Sequence, residues 1–160
     1  MNAGAGYLLI VVICVLLLAS DKENFVSLKR WMFINAMVFI AFGIAFALYA
    51  PLVAGAFGIL KIQGTSEMYW YSVSFARLYG AALFGFGFLV WAVSNLTEGL
   101  TPASSARRSV LVAMLLANGM GMIVALTQQL SIWGALAGWI TVGMYAILAT
   151  GYIVALAKRG

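Results

Sequence analysis

Histidine is absent from this chain, and cysteine occurs once, at Cys14. Those two absences remove the commonest metal ligands, the usual axial ligand of haem and chlorophyll, the usual general base and any disulfide within one chain. Charge is scarce as well. Only 8% of the 160 residues are Asp, Glu, Lys or Arg, and the acids are just Asp21, Glu23, Glu67 and Glu98. None of the four stands inside a long apolar run, so a carboxylate relay for protons across a membrane has no residues to use. A water-soluble fold needs about 25% charged residues to cover its surface. Lipid imposes no such requirement, and 65% of this chain is hydrophobic.

What is present is long apolar runs. A membrane-spanning helix needs about 20 such residues, with about 17 as the lower limit. The sequence predicts an all-α integral membrane protein with five spans: Ala3–Ser20, Trp31–Ala50, Trp70–Asn95, Ser109–Gln128 and Ile132–Ala157. The first is an N-terminal anchor helix. The other four form a four-helix transmembrane bundle over residues 31–157, within a single domain. The first run has no basic residues before it, so it reads as an anchor rather than a signal cleaved after Ala19. Pro51–Ser66, broken by Pro51, Gly55, Gly58 and Gly64, is too short for another crossing. It is expected to lie along the membrane surface or to dip in and return.

The cations orient these spans. Five crossings gather Lys22, Lys29, Arg30, Arg107, Arg108, Lys158 and Arg159 on one side and leave only Lys61 on the other. Lys and Arg concentrate in cytoplasmic loops, so the N-terminus is expected outside and the C-terminus inside. The net charge of +5 therefore implies no nucleic acid, and a bacterial inner (cytoplasmic) membrane is the expected setting. Trp31, Tyr69, Trp70 and Tyr71 sit at span ends, where aromatic side chains anchor a helix at the interface.

Helices in lipid associate through small residues and close packing. Ala113, Ala117, Gly121 and Ala125 recur every four residues in the fourth span. Ala81 and Gly85 follow Arg77 at the same spacing in the third, and Gly134 and Gly138 form a GxxxG pair in the fifth. These stripes are expected to be the inner seams of the bundle. Met114, Met120 and Met122 are read as core filling rather than copper ligands, because neither His nor a Cys cluster accompanies them.

Few polar residues remain to carry a function. Arg77 is the one charge inside a span. Its place in line with Ala81 and Gly85 predicts an inward guanidinium, bonded to Gln128, Gln129 or carbonyls of Pro51–Ser66, or holding an anionic ligand; the alternative is an arginine reaching out to the headgroups. Asn118, at the middle of the fourth span, needs hydrogen-bond partners in hydrocarbon and is expected to face another helix, as structural glue. No catalytic residue, metal or cofactor is expected.

The pattern of these residues resembles small bacterial four-helix membrane proteins related to the DoxX-like group. The resemblance rests on Ile34-Asn35-Ala36, Ala50-Pro51, Phe57-Gly58, Ala76-Arg77-Leu78-Tyr79-Gly80-Ala81-Ala82-Leu83, Leu116-Ala117-Asn118-Gly119 and Gly138-Trp139, and it covers residues 31–157. It implies a compact four-helix bundle. Some DoxX-like members are linked to quinone-coupled sulfur oxidation, but this chain has no redox ligands of its own, and no family catalytic residue transfers to it. The expected function is a non-catalytic membrane subunit packing beside a larger complex, respiratory or photosynthetic, or joining a homo-oligomer. The alternative is a small carrier or binding protein for a lipid-like or quinone-like ligand near Arg77.

Overall fold

The computed structural model describes residues 27–58, 67–101 and 104–157. Every regular element in them is helical: α1 Leu28–Ala56, α2 Glu67–Leu96, α3 Ser105–Ser131 and α4 Leu136–Ala157, with a short 3-10 turn at Thr97–Gly99. All four are long and apolar enough to cross a membrane. At 1.5 Å per residue they run from about 33 to 45 Å, against a hydrocarbon core of about 30 Å. An α-helix suits that solvent because it satisfies its own backbone polar groups. Side-chain hydroxyls follow the same rule. Ser72, Thr141 and Thr150 each donate to the carbonyl four residues earlier, and Ser94 and Thr127 to the carbonyl three earlier. Many large apolar side chains face outward, Leu52 and Phe75 among them, at 73% and 71% exposed. Such surface is a liability in water and ordinary in lipid. The helices are those of a multi-pass membrane protein.

Three ends differ from the sequence reading by a full turn or more. The second predicted span does not stop at Pro51. Helix α1 runs through it to Ala56 and bends at Tyr49 (φ −116°, ψ 30°). Proline has no N–H for the carbonyl four residues back and clashes with that turn, so a helix held on both sides kinks there rather than ending. The described part of Pro51–Ser66 is thus mostly the last turn of α1, which closes with the Phe57 amide donating to the Val53 carbonyl (3.1 Å) and Gly58 in the left-handed region at φ 73°. The fifth predicted span loses its first turn, since α4 begins at Leu136. The fourth gains one at its start, where Ser104 caps α3 by accepting the Arg107 amide on its hydroxyl (3.3 Å). Residues 59–66 and the proposed first span, Ala3–Ser20, lie outside the described residues.

The described chain forms two compact units. The first is the α1–α2 hairpin with residues 132–135; the second is the α3–α4 hairpin. In the first unit the two helices come nearly backbone to backbone. A Cβ built on Gly43 would stand 2.5 Å from the Phe84 amide nitrogen; one on Gly80 would collide with the Ala47 backbone; one on Gly87 would meet Ile40 and the Ala36 carbonyl. Beyond the kink, Phe57 is buried, with its ring 4.6 Å from Trp133 and 6.1 Å from Phe46. In the second unit α3 buries Leu111, Met114, Asn118, Ala125 and Gln129. Helix α4 buries the largest share of its length, Tyr152 completely.

Candidate functional site

The close contacts between α1 and α2 give their register. Ile40 lies beside Gly87, Gly43 beside Phe84 and Ala47 beside Gly80. Carried one turn further, this antiparallel register sets Arg77 level with Ala50 and the kink at Tyr49–Pro51. The inner face of α2 is Val73, Gly80, Gly87 and Ser94, one residue every seven, with Val90. Two turns of helix take about seven residues, so this spacing keeps one straight line toward α1.

Arg77, Ala81 and Gly85 are not on that line. At 100° per residue they lie about 60–140° round the helix from Gly80. All three are exposed, and a Cβ built on Gly85 would meet nothing within 4 Å. Within the α1–α2 hairpin the contact with α1 is made instead by Gly80 and Gly87. A strict four-residue spacing turns by about 40° per step and drifts off any single face. Among the described residues Arg77 makes no hydrogen bond or ion pair. That removes the expected bonds to the carbonyls of residues 51–58.

The same drift explains the fourth-span stripe. Its seam steps by three and four through Leu111, Met114, Asn118, Gly121 and Ala125. Ala125 is buried, and Gly121 lies under the Tyr145 ring, where a Cβ would be 2.5 Å from Cε1. Ala117 is half-buried, while Ala113, at the drifting end, is exposed. Met114 fills the core as expected, but Met120 is 59% exposed. In the fifth span the GxxxG pair is not a helical pair. Gly134 precedes α4 and is exposed, and only Gly138 is a buried helical residue.

Asn118 is fully buried at mid-helix, as expected, but its amide nitrogen donates to the Met114 carbonyl of its own helix at 2.8 Å. Its Oδ1 has no hydrogen-bond partner among the described residues. Asn118 thus lies on the inward face of α3, and the bond its amide nitrogen makes is within its own helix. Gln129 is buried and Gln128 half-buried near the end of α3, in the second unit. Glu67 opens α2, where a carboxylate meets the positive end of the helix dipole. Trp70 and Tyr71 remain exposed one turn on, as membrane-interface residues would.

Comparison with protein-family models, with curated proteins and with solved structures finds no match. What the geometry itself offers is narrow. Among the described residues no three His, Cys, Asp or Glu side chains gather where a metal could bind. The feature with chemical reach is Arg77: a planar guanidinium with five donors, exposed on its hairpin. Sequence reading singled it out but missed Gly43, Gly80 and Gly87, the residues that place α2. The seven-residue repeat from Val73 to Ser94 was the signal for them.

Proposed function

We propose that this protein is a non-catalytic subunit of a larger membrane assembly, with α2 as its docking helix. The observation that carries this reading is that α2 has two faces with small residues. One, through Gly80 and Gly87, is filled by α1; the other, through Arg77, Ala81 and Gly85, is open. A charged residue within an apolar span is expensive and calls for a counterpart. Within the α1–α2 hairpin this face is exposed, and a neighbouring membrane protein would supply that counterpart.

In this reading the cations set the orientation. Lys29 and Arg30 begin α1, and Arg107 and Arg108 begin α3, so four crossings put all of them on one side, taken as the cytoplasm. The N-terminal run then supplies a fifth crossing with its start outside, and a bacterial inner membrane suits the arrangement. The resemblance to DoxX-like proteins belongs to the same proposal and rests on the motif around Arg77.

Purification in a gentle detergent or native nanodiscs tests the function. The expected result is a partner membrane protein in fixed stoichiometry. A pure monomer carrying a lipid or quinone instead overturns the subunit reading in favour of a binding protein.

A further inference from the structure

The bend in α1 divides the helix unequally. Arg30 stands at its start, and Tyr49, where the helix breaks, follows about 28 Å further along. A hydrocarbon core is about 30 Å thick, so the straight part of α1 fills one crossing by itself. Residues 52–57 beyond the bend carry no polar or charged side chain. Of residues 51–58 only Phe57 is buried, and Leu52, Gly55 and Ala56 are exposed. The bend is large. In an unbroken helix Phe46 and Phe57 would stand about 16 Å apart along the axis. Their rings lie 6.1 Å apart, so the end of α1 is turned aside. Phe57 holds it there, between Phe46 and Trp133. All of these residues belong to the first compact unit. We propose that Tyr49 and Pro51 form a hinge set by bilayer thickness. In a thin bilayer the end of α1 lies folded aside; in a thick one it straightens into the hydrocarbon and Phe57 leaves Trp133.

A shift between two states needs a solvent that favours each differently. Thickness supplies that difference. Tilting answers only a span that is too long for its bilayer. A span that is too short must find more apolar length, and α1 carries it in the folded end. Straightening adds residues 52–57, about 9 Å of wholly apolar helix. A thin bilayer would push the same segment into water, where its apolar side chains favour the fold against Phe46 and Trp133. Little resists the change. One side chain holds the segment, and a region with few buried contacts opens readily. Pro51 has no amide to donate in either state, so straightening breaks no hydrogen bond at that position.

The test uses the full-length protein, with Cys14→Ser, in vesicles of dimyristoleoyl, dioleoyl or dierucoyl phosphatidylcholine, a series of rising thickness. Spin labels on cysteines replacing Phe33 and Ala56, both exposed, report the length of α1 across the hinge. A second pair, replacing Phe33 and Leu48, reports only the part before it. The distance from 33 to 56 should lengthen through the series and approach about 35 Å, the span of an unbroken helix. The distance from 33 to 48 should stay fixed. Phe57→Ala removes the hold on Trp133, so in that variant the long distance should appear in a thinner bilayer than in the parent. The same 33-to-56 distance in all three lipids overturns the hinge. So does a change that the 33-to-48 pair shares, which would place the bending elsewhere in α1. A Phe57→Ala variant that follows the parent through the series overturns the latch, and the two-state hinge with it. These distances lie within one hairpin of the isolated protein, so they test the hinge whether or not a partner subunit is found.

Discussion

Gly80 and Gly85 stand five residues apart on α2 with opposite surroundings. A methyl group at Gly80 would strike the backbone of Ala47 and the Gly43 carbonyl, atoms that cannot move aside without parting the helices. A methyl at Gly85 would meet nothing. Gly80→Ala should therefore destabilise the protein by about 1–3 kcal/mol, the ordinary cost of overpacking. Gly85→Ala should stay within about 0.5 kcal/mol of the parent. Thermal unfolding of both variants in one detergent checks the pair, and a reversed order would reject the assigned seam. Asn118 gives a second contrast. Its amide serves only its own helix, and its carbonyl oxygen is buried without a hydrogen-bond partner among the described residues. Replacing both polar ends with an apolar side chain of similar size removes an unmet acceptor rather than a useful bond. Asn118→Leu should unfold at the same temperature as the parent or higher; a clear drop would show that the amide bonds another helix after all.

At the scale of elements, the existence and type of four helices were legible from run length alone, because lipid allows little else. Their faces were less legible. At 3.6 residues per turn a stripe at every fourth residue winds round the helix, which is why Ala81, Gly85 and Ala113 are exposed on their own hairpins. The seven-residue repeat through Gly80 and Gly87 carried the true contact. The ends were misjudged where one local rule was read too literally. Pro51 was taken as a stop, yet the packing of Phe57 against Phe46 and Trp133 holds the chain helical beyond it, with the misfit absorbed at Tyr49. Pro51→Ala restores the missing amide donor and should straighten α1, drawing Phe57 off Trp133. A blue or red shift of Trp133 emission, in a variant whose other tryptophans are replaced by Phe, reads that movement; an unchanged spectrum would mean the bend has another cause. In the second unit, Gly121→Leu should push against Tyr145 and lower stability by about 1–3 kcal/mol.

For the whole molecule, one physical idea joins these points: the solvent is a bilayer, the helices take up their own hydroxyls, and each hairpin packs closest at its glycines. Composition alone made the membrane legible. The role of Arg77 was not legible, since a lone charge in an apolar span calls for a counter-group but does not name it. The central claim is that the four helices cross the membrane and that the cation-bearing ends share one side. The most direct measurement is cysteine accessibility, with Cys14 replaced by Ser and single cysteines placed at Thr65, before α2, and at Ser105, at the start of α3. In intact cells an impermeant maleimide should label position 65 and leave position 105 untouched until the membrane is opened. Labelling of both positions from the same side would contradict the account.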